Sequence, residues 1–239
     1  MVDFEFEKIR KQCESFGVML TDDTTERLTV YGNTLLEWNE KINLTAITEP
    51  QEILYKHFFD CLLFFKNTTV EKGASVIDVG TGAGFPGMVL KIARPDINLT
   101  LLDGLNKRLL FLDEVLCKVG LEAETVHMRA ESAGQDKRYR ERFDIATARA
   151  VANLNVLCEY CIPLVKKGGS FVAMKGASAK EETDAAQNVY KLLGCEKPSV
   201  FYETLTGGEQ RAFIISKKIS QTLPKYPRNN QKIAKSALK

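Results

Sequence analysis

The sequence predicts an α/β fold, a seven-stranded, mostly parallel sheet with helices on both faces, preceded by a helical extension. Three observations carry this. Over the first 70 residues, apolar side chains recur only at helical spacing. From Ser75 onward, short β-branched runs alternate with amphipathic helical stretches, the pattern of βαβ units. A glycine-rich turn follows the first of those runs, where a doubly wound sheet opens its ligand crevice. The 239 residues suffice for one large domain with appendages, divided as a helical extension (1–70), a sheet domain (71–218) and a basic tail (219–239).

The elements follow in order. Phe4, Phe6, Ile9, Cys13 and Phe16 form a helical stripe over 3–16, and Gly17 is a stop. Thr21 or Asp22 caps a second helix, whose stripe is Leu28, Tyr31, Leu35 and Trp38. Pro50 suits the first turn of a third helix running to about residue 65. Strands are expected at Ser75–Val79, Asn98–Asp103, 123–128, 143–147, 169–175, 200–204 and 211–216. Helices are expected at Gly87–Ala93, 107–119, 131–135, 153–165 and Ala179–Leu193.

Composition excludes several classes. With 44% hydrophobic residues and 13 Phe, the chain has the apolar surface to fold. Its longest apolar run, residues 61–65, is far short of the ~20 residues of a membrane span. The charged start, residues 1–8, lacks an apolar signal segment, so a cytoplasmic protein with reduced thiols is expected. Cys158 and Cys161 form a lone CxxC in a helix and read as buried small hydrophobes rather than a zinc or redox site. No metal-ligand cluster is visible. Charge is uneven. From Lys217 on there are seven bases and no acid, leaving 26 bases against 31 acids in residues 1–216. A basic tail on an acidic body suits a polyanionic partner, or is only a solvated terminus.

The turn after the first strand reads Asp78-Val-Gly80-Thr-Gly82-Ala-Gly84-Phe85-Pro-Gly87. Gly82, Gly84 and Gly87 fit a dinucleotide pattern, but Asp78 favours a different ligand. A carboxylate beside the loop repels a pyrophosphate and attracts a cation, directly or through water. S-adenosylmethionine is cationic and has no phosphate. Asp103, ending the second strand, is placed to bind ribose hydroxyls. The stretch after the fourth strand, Thr147-Ala-Arg149-Ala-Val, lacks the [DN]-P-P-[YFW] loop that handles exocyclic amines, and the chain has no Pro-Cys pair for attack on a pyrimidine carbon. These absences point to an acceptor with its own lone pair, such as a purine ring nitrogen, which needs no catalytic base.

Further segments repeat a known pattern. They are Trp38-Asn39-x-x-x-Asn43-Leu44-Thr45, His57-Phe-x-Asp60, the glycine loop, Asp103-x-Leu-Asn-Lys-Arg108, Arg129-Ala130-Glu131, Thr147-Ala-Arg149-Ala150-Val151 and Pro224-Lys-Tyr-Pro-Arg228. In this order they resemble the RsmG (GidB) family of bacterial small-subunit rRNA guanine-7-methyltransferases over nearly the whole chain. The resemblance implies a class I S-adenosylmethionine-dependent methyltransferase fold, Rossmann-like, and methylation at N7 of a guanosine in the 530 loop of 16S rRNA. It places Gly80, Phe85, Ala130, Glu131 and Arg149 in the cofactor site, beside Asp78, Gly82, Gly84 and Asp103. Gly104 and Cys61 depart from the family, where Ser is common.

The implied partner is 16S rRNA or the 30S subunit, met by a monomer without membrane or obligate protein partner. Lys175, Lys225 and Arg228 are candidate RNA contacts, and the sequence leaves open whether the tail is ordered without RNA. His57 reads as structural or RNA-facing. Trp38 reads as a helix-interface anchor or a base-stacking platform.

Overall fold

The computed structural model describes residues 2–239. The chain opens with α1 (Glu7–Ser15) and α2 (Asp22–Asn39). Thr21 caps α2, its Oγ1 accepting from the Thr24 amide at 3.2 Å. The third helix starts as expected in α3 (Pro50–Ile53) but then widens into a π-helical turn (Leu54–Phe59) before α4 (Asp60–Leu62) and α5 (Phe64–Asn67). A π-turn takes in an extra residue and re-aims the side chains around it. Apolar spacing gives no sign of it, so the segment reads as one smooth helix in the sequence.

The sheet follows: β1 (Ser75–Val79), α6 (Gly87–Ala93), β2 (Asn98–Asp103), α7 (Asn106–Val119), β3 (Glu124–His127), α8 (Ala130–Ala133), β4 (Phe143–Arg149), α9 (Leu154–Cys161), β5 (Val165–Lys175), α10 (Ala179–Leu193), β6 (Ser199–Thr204), β7 (Gln210–Lys217) and α11 (Asn230–Lys235). The strand order is β3-β2-β1-β4-β5-β7-β6, parallel except for β7, which runs antiparallel to both neighbours. β4 and β5 are longer than the sequence suggests. Pro163 closes α9 in a short 3₁₀ turn, so Val165 begins a strand instead of ending a helix. The β4–β5 register shifts between Phe143 and Ile145, where Gly169 lies so close that a Cβ would sit 2.5 Å from the Asp144 carbonyl oxygen.

The helical extension shares its core with one face of the sheet. Phe4, Leu28, Tyr31, Phe58 and Phe64 join Val76, Leu99, Phe111 and Phe213 in one buried cluster. On the other face α8, α9 and α10 cover Ile77, Phe171 and Ile214. Each such buried side chain contributes about 1.5–3 kcal/mol. Cys158 and Cys161 sit fully buried as free thiols in this second cluster, and burial pushes both up. Among the described residues no helix is long and apolar enough to cross a membrane.

The tail's order, left open by the sequence, is settled by its contacts with the body. The tail is docked along α8 and α9 rather than free. Tyr226 and Ile233 are buried. Arg140 donates to the carbonyls of Thr222, Tyr226 and Gly134. Arg228 makes a two-pronged ion pair with Glu159, at 2.8 and 2.7 Å. Glu159 is wholly buried on α9, and a buried carboxylate must find a cation. That need draws the tail onto the body.

Candidate functional site

The strand order reverses between β1 and β4, and the carboxyl ends of the strands open there into two adjoining cavities. The loop from Gly80 to Pro86 is held from several sides. The Gly80 amide donates to the Leu102 carbonyl at 2.8 Å, and the Gly82 amide to Asp103 Oδ2 at 2.9 Å. From α2, the buried Tyr31 hydroxyl donates to the Ala83 carbonyl. Gly80 has φ +69°, and a Cβ there would meet Val151 at 2.9 Å.

Asp78 lies beneath the loop and outside the lining of both cavities. Its carboxylate is wholly buried, and Oδ2 accepts from Thr81 Oγ1 at 2.7 Å and from the Gly87 amide at 2.9 Å. Burial pushes its pKa up to about 6, against the two hydrogen bonds. Oδ2 thus ties the two ends of the loop together, while Oδ1 has no hydrogen-bond partner. Gly84 and Phe85 also lie below. A Cβ on Gly84 would strike Leu112 and Tyr31 at 2.7 Å.

The first cavity has a volume of about 510 Å³ and is lined by Gly80, Asp103, Arg108, Met128, Ala130, Glu131, Val151, Tyr160 and Asn230, among others. That lies within the ~300–1,000 Å³ of small-molecule sites. Asp103 stands at the end of β2 as expected. Oδ1 accepts from the Leu105 amide at 2.8 Å, and Oδ2 faces Arg108 at 3.3 Å as well as Gly82. Three of the four lone pairs on the two oxygens are taken, so one hydroxyl donor can be accepted directly on Oδ1 and a second in exchange for the long Arg108 contact. A glycine-edged cleft with a strand-end carboxylate and walls of Met128 and Val151 fits a nucleoside. Sequence reasoning found Gly80, Asp103, Ala130 and Glu131 here; Gly82 does not line the cavity and serves it through its amide, which holds Asp103. Sequence reasoning missed Tyr160 and Asn230, which only the docked tail and α9 bring in.

Arg149 lines the second cavity, of about 360 Å³, with His57, Asp60, Lys175 and Arg211; Ala150 lines both. Ala150 has φ +57°, a rare conformation for a residue with a side chain, and such strain gathers at functional sites. Arg149 is firmly held. Nη1 donates to Asp60 Oδ2 at 2.8 Å, and the guanidinium lies over the Phe85 ring, 4.8 Å from its centroid. His57 stacks on the same ring, with centroids 4.4 Å apart. Its Nε2 is 2.9 Å from Thr45 Oγ1 and its Nδ1 is 3.0 Å from Arg149 Nη2. Burial, reinforced by Arg149 and Arg211, pushes His57 down to about 3, so the ring is neutral. The π-turn brings His57 and Asp60 to Arg149, which is why their partnership was not legible in the sequence.

Two of the three candidate RNA contacts are engaged within the protein. Lys175 pairs with Glu182 at 2.7 Å and donates to the Ala152 carbonyl, and Arg228 holds Glu159. Lys225 lies over the Tyr226 ring, 5.2 Å from its centroid. Trp38 is an interface anchor, donating to Glu114 at 2.9 Å and packing on Phe111.

The sheet order, the glycine loop and the nucleoside cleft define a class I methyltransferase, the kind that draws its methyl group from S-adenosylmethionine. A family model described as rRNA small subunit methyltransferase G (GidB) matches residues 24–213, and the chain belongs to that family. The protein named ribosomal RNA small subunit methyltransferase G of Clostridium perfringens is 45% identical over 236 residues, covering 98% of this chain and 99% of that one. Its namesake in Lactobacillus helveticus is 46% identical, covering 93% and 94%. Among solved structures, a Corynebacterium glutamicum protein superposes with a TM-score of 0.55 at 16% identity, over 90% of this chain and 98% of that one. YcgJ of Bacillus subtilis gives 0.50 at 12% identity, over 69% and 100%. These two likenesses show the fold alone.

Proposed function

We propose that the chain transfers a methyl group from S-adenosylmethionine to ring nitrogen 7 of a guanosine in the 530 loop of 16S rRNA. Methyl transfer to small-subunit rRNA is the reaction its family is named for. The finer reading rests on the chemistry of the second cavity, where among the described residues each carboxylate is paired with a cation and no cysteine lines the wall. His57 is neutral but occupied at both ring nitrogens. Asp60 is paired with Arg149 and lies near Arg211. Cys61 is fully buried, and burial pushes its thiol up. An exocyclic amine must lose a proton, and a pyrimidine carbon must be activated by a thiolate. Guanine N7 carries an in-plane lone pair and needs neither.

The donor, when bound, supplies an electrophilic methyl on a sulfonium. The chain's own residues supply placement. Gly80 admits the ligand close to the backbone, Asp103 takes the ribose hydroxyls, and Ala130 and Glu131 close the adenine end. Asp78, Gly84 and Phe85 hold the loop from below. Arg149 and Ala150 form the wall between donor and acceptor. Fixing two reactants in line lowers a barrier by about 7–11 kcal/mol at most. Lys225 contributes a phosphate contact at the tail's outer edge.

Incubation of methyl-labelled S-adenosylmethionine with the protein and 30S subunits lacking the mark, then digestion to nucleosides, tests the acceptor. The label is expected in 7-methylguanosine. Label in a methylated adenosine or cytidine would refute the reading.

A further inference from the structure

The second cavity is built by segments far apart in the chain, and most of its charges are committed within the protein. Arg149 holds Asp60 and the Lys56 carbonyl. Lys175 holds Glu182, whose carboxylate also accepts from the Leu154 amide and Ser178 Oγ. Arg211, at the start of β7, is different. Its Nε stands 3.3 Å from Asp60 Oδ1, too poorly directed to count as a hydrogen bond, and its Nη1 donates to the Gln210 carbonyl at 3.1 Å. Its Nη2 has no protein partner among the described residues. Asp60 Oδ1 is buried and likewise lacks a hydrogen-bond partner, although the side chain is only 2% exposed. A guanidinium edge and a carboxylate oxygen thus line one cavity with hydrogen-bonding capacity unused. A buried polar group rarely stays unsatisfied, and the Asp60 oxygen beside the partly exposed Arg211 edge marks a place for a polar ligand.

We infer that this cavity receives the acceptor purine turned out of the RNA, and that Arg211 donates to its O6 atom. The inference rests on the guanine reading above. O6 and N7 share one edge of guanine, so a donor fixed on O6 orients the neighbouring N7 lone pair across Ala150 toward the donor cleft. Adenine presents an amino group at the same place, and a guanidinium rejects it. Arg211 is therefore a specificity-determining residue for this reaction. Asp60 is its charge partner, 3.3 Å from Nε, and leaves the Nη2 edge free. No segment near Arg211 announces this in sequence, since β7 meets the π-turn only in the folded sheet.

The test compares the wild-type protein with Arg211→Gln on 30S subunits carrying either guanosine or 2-aminopurine riboside at the target position; the analogue lacks O6 but keeps N7. On guanosine, kcat/KM of the variant is expected to fall by about 10- to 100-fold, the range of one base-edge contact. Its affinity for S-adenosylhomocysteine is expected to be unchanged, which shows an intact fold and donor cleft. On the analogue, wild type and variant are expected to be equally slow. A variant as fast as wild type on guanosine, or one that loses the same factor on both acceptors, would overturn the assignment. Mapping the product separates the two readings. A methyl mark away from guanine N7 sinks the proposed reaction, whereas a mark at N7 with Arg211→Gln unimpaired sinks only the role of Arg211.

Discussion

At Gly80, φ is +69° and the space a Cβ would take is filled by Val151 at 2.9 Å. Two penalties meet there, the left-handed backbone, about 1–2 kcal/mol for an L-residue, and a contact that pushes Val151 into the cleft. Gly80→Ala is expected to weaken S-adenosylhomocysteine binding at least tenfold in calorimetry while the protein stays folded; unchanged affinity would move the donor away from this loop. His57 gives a second residue-scale test. Unfolded, it titrates near 6.5, but in the fold it resists protonation until about 3. Between those values the unfolded chain binds the extra proton, so acidification through that window removes stability, and above it the contribution is fully present. Asp78 acts oppositely between its ordinary 3.8 and about 6, because there the folded carboxyl keeps a proton that the unfolded one has lost. The difference between wild type and His57→Asn isolates the histidine. The wild type is expected to lose stability relative to the variant as pH falls below about 6.5, measured by urea midpoints; a parallel pair of curves would contradict the buried neutral ring. The glycines were legible as sequence because a loop that approaches a ligand needs them. The direction in which Asp78 faces was not, since one carboxylate spacing serves both a ligand and the loop's own amides.

Among the elements, the tail changes most between sequence and structure. Seven bases without an acid read as an RNA-seeking arm, yet Arg228 answers a carboxylate on α9 that sequence alone leaves unremarkable. Arg228→Ala leaves Glu159 buried without its cation and is expected to destabilise the fold by about 3 kcal/mol in urea unfolding. Arg228→Ala with Glu159→Gln is expected to recover most of that, because the neutral amide can still accept from the residue 228 amide, as Glu159 Oε1 does at 2.8 Å. A single variant as stable as wild type would show that the pair adds nothing. The π-turn is the other element that sequence hides. Helical spacing is right on either side of it, but one extra residue per turn sets where His57 and Asp60 point. By contrast, β1, β2, α6 and α10 could be bounded from apolar runs, glycines and prolines alone.

Over the whole molecule, the alternation of strands and helices was enough to predict a mostly parallel seven-stranded sheet, because right-handed crossovers leave few other arrangements. The loop at β1 then pointed to the cleft proposed for the donor, since a doubly wound sheet opens where its strand order reverses. The cavity proposed for the acceptor was less legible. It draws on the π-turn, β4, β5 and β7, and no local pattern encodes a meeting of segments up to about 150 residues apart. What unites the two cavities is Ala150, shared by both and held at positive φ. The account's central claim is that a guanine meets the donor across that residue. Reduction with borohydride and scission with aniline cut RNA at 7-methylguanosine, and primer extension reads the cut. On 16S rRNA from 30S subunits treated with the protein and S-adenosylmethionine, one new cut in the 530 loop is predicted. Methyl incorporation with no cut, or with a cut elsewhere, would contradict it.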